Sequence, residues 1–121
     1  MCIRDSTKAA ILGTTGKRDD HTLANIFILL QYPSQLEMTI YTNHGIFSVA
    51  ENEKTFDSFT GQQISLFATN KSIEITSNNL KYNIKNQILT NLYCGTLNEA
   101  LKDSFTLALS HGKILVYQVF A

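Results

Sequence analysis

The sequence predicts an all-β domain: a sandwich, a barrel or a jelly roll. Three observations carry that expectation. Short apolar runs alternate residue by residue with polar ones, which is the two-residue period of a half-buried strand. Clusters of turn-forming residues separate these runs about every 8–12 positions. The chain also has no Trp and one Pro, and is rich in β-branched residues, a composition that suits pleated structure.

The runs follow in order. Leu36-Glu37-Met38-Thr39-Ile40-Tyr41 places Leu36, Met38 and Ile40 on one face, and Asn43-His44-Gly45 turns the chain into Ile46–Val49. The polar stretch Glu51–Lys54 precedes Thr55–Phe59, and Gly61 precedes Ile64–Phe67. Asn70-Lys71 leads to Ile73-Glu74-Ile75, then Ser77-Asn78-Asn79 to Leu80–Ile84, and Lys85-Asn86 to Ile88–Tyr93. Phe105–Leu109, the turn His111-Gly112 and Ile114–Phe120 complete the chain. Two segments also fit a helix. His21–Tyr32 has Leu23, Ile26, Phe27 and Leu30 at helical spacing, but its β-branched residues favour a strand. Thr96-Leu97-Asn98-Glu99 has a capping-box pattern, which allows one short helix near 97–103.

Met38–Val49 and Ile73–Ile84 match at a constant offset of 35 residues, with apolar positions, a hydroxyl, an Asn and an aromatic coinciding. The match suggests a repeated strand–turn–strand unit.

Charge and length narrow the function classes. Ten Lys+Arg balance ten Asp+Glu over 121 residues, so the basic footprint of a nucleic-acid binder is missing. No apolar run approaches the roughly 18–20 residues of a membrane-spanning helix. Met1-Cys2-Ile3-Arg4-Asp5-Ser6 reads as the translated end of a sequencing-library adaptor. Positions 1–6 are therefore expected to be a scar, with residues 7–121 one domain whose native N-terminus, together with any signal peptide or anchor on it, is cut off. Without Cys2, Cys94 stands alone and forms neither an intrachain disulfide nor a metal motif.

Candidate chemistry is sparse. Gly13-Thr14-Thr15-Gly16-Lys17-Arg18 departs from a phosphate-binding loop, with Ile11 where the first Gly belongs and Arg18 in place of Ser or Thr. It reads better as a tight turn after a strand. Asp19-Asp20-His21 has no partner cluster at metal-ligand spacing and reads as a solvated loop. His44 and His111 each sit beside a Gly in an expected turn. Tyr41, Tyr82, Tyr93 and Tyr117 read as strand aromatics, because no basic residues interleave with them. No nucleophile, base and orienting group assemble into a catalytic set. The residues alone therefore predict a protein that is not an enzyme, with no cofactor and no catalytic or metal site.

From about Met38 onward the chain resembles the LptC/LptA (OstA-like) family of periplasmic lipopolysaccharide-transport bridge proteins. The stretches that carry the resemblance are Met38–Phe47, Phe59–Leu66, Ile73-Glu-Ile-Thr-Ser-Asn-Asn-Leu-Lys-Tyr-Asn-Ile-Lys-Asn-Gln-Ile-Leu-Thr90 and Phe105–Tyr117. The resemblance implies a β-jelly roll of short antiparallel strands. It also implies non-catalytic relay of lipopolysaccharide acyl chains and edge-strand pairing with other jelly-roll bridge proteins. A missing N-terminal helix would anchor the protein in the inner membrane on its periplasmic side. The expected lipid-binding residues are Met38, Ile40, Leu66, Ile73, Ile75, Tyr82 and Ile84. A second resemblance, carried by Asp19-Asp20-His21, Leu29–Pro33 and Ile64–Ile73, is to the C-terminal sheet domain of Gfo/Idh/MocA-type NAD(P) oxidoreductases. It implies a fragment whose nucleotide-binding and catalytic residues lie upstream.

Overall fold

A computed structural model describes residues 7–12, 26–31, 36–89 and 95–120. Within them the chain is mostly β, as its alternation requires. The strands are β1 (Thr7–Leu12), β2 (Leu36–Tyr41), β3 (Gly45–Asp57), β4 (Gln63–Phe67), β5 (Ile75–Asn78), β6 (Asn98–Glu99) and β7 (Ser104–Val119). The sheet order is β1-β2-β3-β7-β4-β6, with β5 also paired to β7. β1 and β2 run parallel, and the other pairings are antiparallel.

The ribbon of β3 and β7 is the frame. Glu51 pairs with Lys113 and Glu53 with Ala108, so β7 takes five steps where β3 takes two. Such an insertion bends a ribbon and sharpens its twist. Asn52 and Gly112 absorb the bend with φ of 57° and 70°, a region open to Gly and tolerated by Asn. The odd number of steps in β7 reverses its inward parity, from Ile114 and Val116 to Leu107 and Phe105. Each half then finds its own neighbour: β4 pairs with Val116 and its flanks, β5 with Leu107 and its flanks.

Residues from both halves meet in one closed core. Ala50, Ile64, Leu66, Ile114 and Val116 pack with Phe56, Ile75, Phe105 and Leu107, the layered packing of a β-sandwich. The rings of Phe56 and Phe105 stack with centroids 5.0 Å apart. A second cluster joins Ile40 and Leu115 to Ile26 and Leu29, with Met38, Phe47, Val49 and Phe67 around them.

Several expectations are corrected. Residues 26–31 are helical, ending in the 3-10 turn Ile28–Gln31, because Ile26 and Leu29 together cap Ile40 and Leu115. Glu51–Lys54 does not break a strand, since its main chain stays in the ribbon, and His111-Gly112 bends β7 without ending it. The short helix near 97–103 is absent: Asn98–Glu99 pairs with β4. Leu80–Ile84 forms no strand, only a bridge from Leu80 to Ala100. The 35-residue echo therefore marks two chain reversals of different kinds. The first is the β2–β3 hairpin; the second is a turn closed by Ser77 and Ile84.

Gly45 shows how tightly the hairpin sits against β7. A Cβ there would collide with the carbonyl oxygen of Gln118 and the ring of Tyr117. Gly45→Ala is expected to lower unfolding free energy by about 1–3 kcal/mol, measured by urea denaturation with an unchanged m-value.

Candidate functional site

The reversal after β5 builds one wall of a cleft of about 670 Å³, a size suited to a small organic ligand. Tyr82, Asn83 and Ile84 line one side, followed by Gln87, Ile88 and Leu89. Gly95, Thr96, Leu97 and Asn98 form the opposite side. None of these side chains carries a formal charge. The lining is instead apolar surface interleaved with amides and two hydroxyls, of Tyr82 and Thr96.

Hydrogen bonds to side chains fix the wall. Asn79 opens the turn with φ 67° while its Nδ2 donates to the Ser104 carbonyl (3.1 Å). Asn83 Oδ1 accepts from the Leu80 amide (3.1 Å) and the Ser77 hydroxyl (3.2 Å). The Ser77 hydroxyl also accepts from the Ile84 amide at 2.8 Å. The floor is tight: Gly95 accepts from the Leu66 amide at 2.8 Å, and a Cβ on it would meet the Leu66 carbonyl.

Two side chains stand out of this frame. Tyr82 is 61% exposed, and the Lys81 ammonium lies 5.5 Å from its ring centroid. Leu97 is 82% exposed and sits at φ 63°, a conformation that costs a branched residue roughly 1–2 kcal/mol. Strain held at a cleft rim is a pointer to function.

The seven residues expected to bind lipid do not line one groove. Leu66, Ile73 and Ile75 are enclosed in the sandwich core, with Ile84 packed against it. Ile40 and Met38 belong to the second cluster. Only Tyr82 and Ile84 reach the cleft. His111 Nε2 lies 3.1 Å from the Ser72 hydroxyl, which donates to Asn70 Oδ1 (2.7 Å) at the ribbon bend; His44 is in the exposed β2–β3 turn. Gly13–Arg18, Asp19-Asp20-His21, Tyr93 and Cys94 lie outside the described residues. Among the described residues no three His, Cys, Asp or Glu side chains cluster as metal ligands. No described helix is long and apolar enough to cross a membrane.

Sequence reasoning missed Asn83, Gln87, Thr96 and Leu97 as a group. Lys85-Asn86 was legible as a turn, but nothing in the residues brings 82–89 beside 95–98.

Residues 45–117 match the family model described as thiamin pyrophosphokinase, substrate-binding domain. The chain belongs to that family. Its fold is similar to thiamine pyrophosphokinase from Bacillus subtilis, with TM-score 0.80 and 20% identity over 93% of this chain and 55% of that one. Thiamin pyrophosphokinase from Candida albicans gives TM-score 0.80 and 15% identity over 99% of this chain and 47% of that one. The yeast enzyme gives TM-score 0.69 and 16% identity over 92% and 39%. The chain thus spans about half the length of the first two solved relatives. No curated protein matches it.

Membership overturns the bridge-protein resemblance and what it implied: lipopolysaccharide relay, jelly-roll partners and a periplasmic, membrane-anchored setting. It also overturns the expectation of a non-enzyme, and neither the family model nor the structural neighbours support the oxidoreductase alternative. The cause is visible in Ile73–Leu89. The alternation read there as two strands flanking a turn is one short strand, a reversal and a cleft wall.

Replacing Leu97 by Gly removes the left-handed penalty at the rim. Leu97→Gly is expected to leave stability unchanged or raise it by up to about 1 kcal/mol despite losing an apolar side chain. Thermal denaturation checks this.

Proposed function

We propose that this chain is the thiamin-holding part of a thiamin pyrophosphokinase, an enzyme that moves a diphosphoryl group onto the hydroxyl of thiamin. Family membership over 45–117 supports the reading, and the cleft between Tyr82 and Asn98 is the site it assigns to the acceptor. The β-sandwich, rather than a jelly-roll channel, is the architecture it uses.

The chemistry of the lining fits that ligand. Thiamin joins an aminopyrimidine to a thiazolium, so it offers flat apolar faces, amide-like donors and acceptors, and one delocalised positive charge. A cleft without carboxylates cannot form an ion pair with it. An exposed aromatic face attracts such a cation with about 0.5–2 kcal/mol, and more as water is excluded. Tyr82 is the aromatic placed to do this. Lys81 competes for the same ring, so ligand entry moves the ammonium outward. Asn83, Gln87 and Thr96 supply polar atoms suited to a heterocycle. The apolar rim of Ile88 and Leu97 shields the ring system while the hydroxyethyl arm points to the phosphate donor. The described residues of the cleft supply no cationic cradle for that donor, so the proposal for this cleft is confined to the acceptor.

Isothermal titration of the purified chain with thiamin tests the reading. Binding is expected, and Tyr82→Ala should weaken it about tenfold. An unliganded titration curve for the folded wild-type chain, or an unchanged affinity in Tyr82→Ala, sinks the assignment of the cleft.

A further inference from the structure

We propose that Asn98 is a positioning residue whose carboxamide holds the Tyr82 main chain and so places its ring at the cleft. The inference rests on the thiamin-binding reading and adds a residue that acts through another. Three hydrogen bonds carry it. Asn98 Oδ1 accepts from the Tyr82 amide at 3.0 Å, and its Nδ2 donates to the Tyr82 carbonyl at 2.9 Å. The same Oδ1 accepts from the Glu99 amide at 2.9 Å.

A carboxamide has the same donor–acceptor pair as a peptide group, so one side chain engages Tyr82 as a neighbouring strand would. The segment needs such a partner because Leu80–Ile84 forms no ladder of its own. Around it, the Lys81 amide donates to the Glu99 carbonyl (2.8 Å) and Leu80 bridges Ala100. Tyr82 therefore has both main-chain groups held while the residue as a whole is 61% exposed. Asn98 is the reverse, only 6% exposed. A rigid backbone beneath an open aromatic face is a preorganised binding surface, which loses less freedom when the ligand arrives. Three of the four hydrogen-bonding positions of the carboxamide serve the main chain. That commitment favours positioning over ligand contact as its main role.

Other side chains cannot substitute. Asp keeps the acceptor but loses the donor and sets a negative oxygen against the Tyr82 carbonyl. Ser offers one short hydroxyl and cannot span both groups.

The test is a double-mutant cycle read by thiamin titration, with amide exchange at Tyr82 as a second readout. Asn98→Asp is expected to weaken thiamin binding about tenfold and to speed Tyr82 amide exchange. Asn98→Ser replaces it in the cycle if the Asp variant does not fold. Ile114→Val, a core change remote in sequence from the turn, controls for lost stability and should leave affinity within about twofold. The Tyr82→Ala, Asn98→Asp double variant should bind no more weakly than Tyr82→Ala alone, because Asn98 acts through the ring. A full additional loss in the double variant overturns the proposal, as does an equal loss in Ile114→Val. Unchanged affinity in Asn98→Asp, with Tyr82→Ala weakened, overturns this inference and leaves the thiamin reading standing. Unchanged affinity in Tyr82→Ala removes both.

Discussion

The unequal crossing at the middle of the β3–β7 ribbon is the constraint on which the rest depends. Because β7 takes five steps opposite two in β3, the ribbon bends and reverses the parity of one strand. Without that reversal, Leu107 and Phe105 would face away from the core that Ile114 and Val116 help to fill. Placing all four inward closes the sandwich and leaves separate edges for β4 and β5. The bend is secured from outside: Glu74 and Ser110 exchange hydrogen bonds at 2.9 Å, and Ile73 packs against Gly112. The apolar burial that stabilises the domain follows from this local irregularity.

The cleft is a consequence of the same frame. β5 is short because it pairs only with the N-terminal half of β7, so the chain leaves the sheet after Asn78. It returns at Asn98–Glu99 on the far edge of β4. Residues 82–89 and 95–98, between these edges, become the two walls, and Leu89 and Gly95 anchor them to the core. A ligand site here needs no separate scaffold. Irregular backbone at the margin of a rigid sheet is where binding side chains are readily presented.

How much of this was legible in the sequence differs between the elements. β4 and the N-terminal half of β7 were readable because Ile64-Ser65-Leu66 and Phe105-Thr106-Leu107 alternate in both chemistry and burial, and β2 because Met38-Thr39-Ile40 alternates in chemistry. β3 was cut short because Glu51–Lys54 looks like a loop; main-chain pairing there is indifferent to its polar side chains. The 26–31 helix lost to a strand reading because β-branched propensity is weaker than packing against Ile40 and Leu115. Tyr82 and Ile84 were named among the site residues, but for a different ligand and as members of a strand. The remaining lining residues were out of reach, since proximity of 82–89 to 95–98 is set by which edges β5 and β6 occupy, not by any local pattern.

The amide-rich composition turns out to carry structural information that alternation does not. Asn52, Asn79 and Asn86 occupy left-handed backbone positions that Gly usually takes, and each lies at a bend or reversal. Asn70, Asn83 and Asn98 use their carboxamides as acceptors for main-chain amides. Asn does both jobs because its side chain reproduces the peptide group one bond away from the backbone. Such contacts fix a turn without bringing a charge near it. That accounts for a cleft wall braced by amides rather than by ion pairs, with the Lys81 ammonium set against the Tyr82 ring and outside the bracing. A wall braced by ion pairs would be equally stiff, but its carboxylates and ammonium groups would hold water beside the aromatic face and weaken its attraction for a cation.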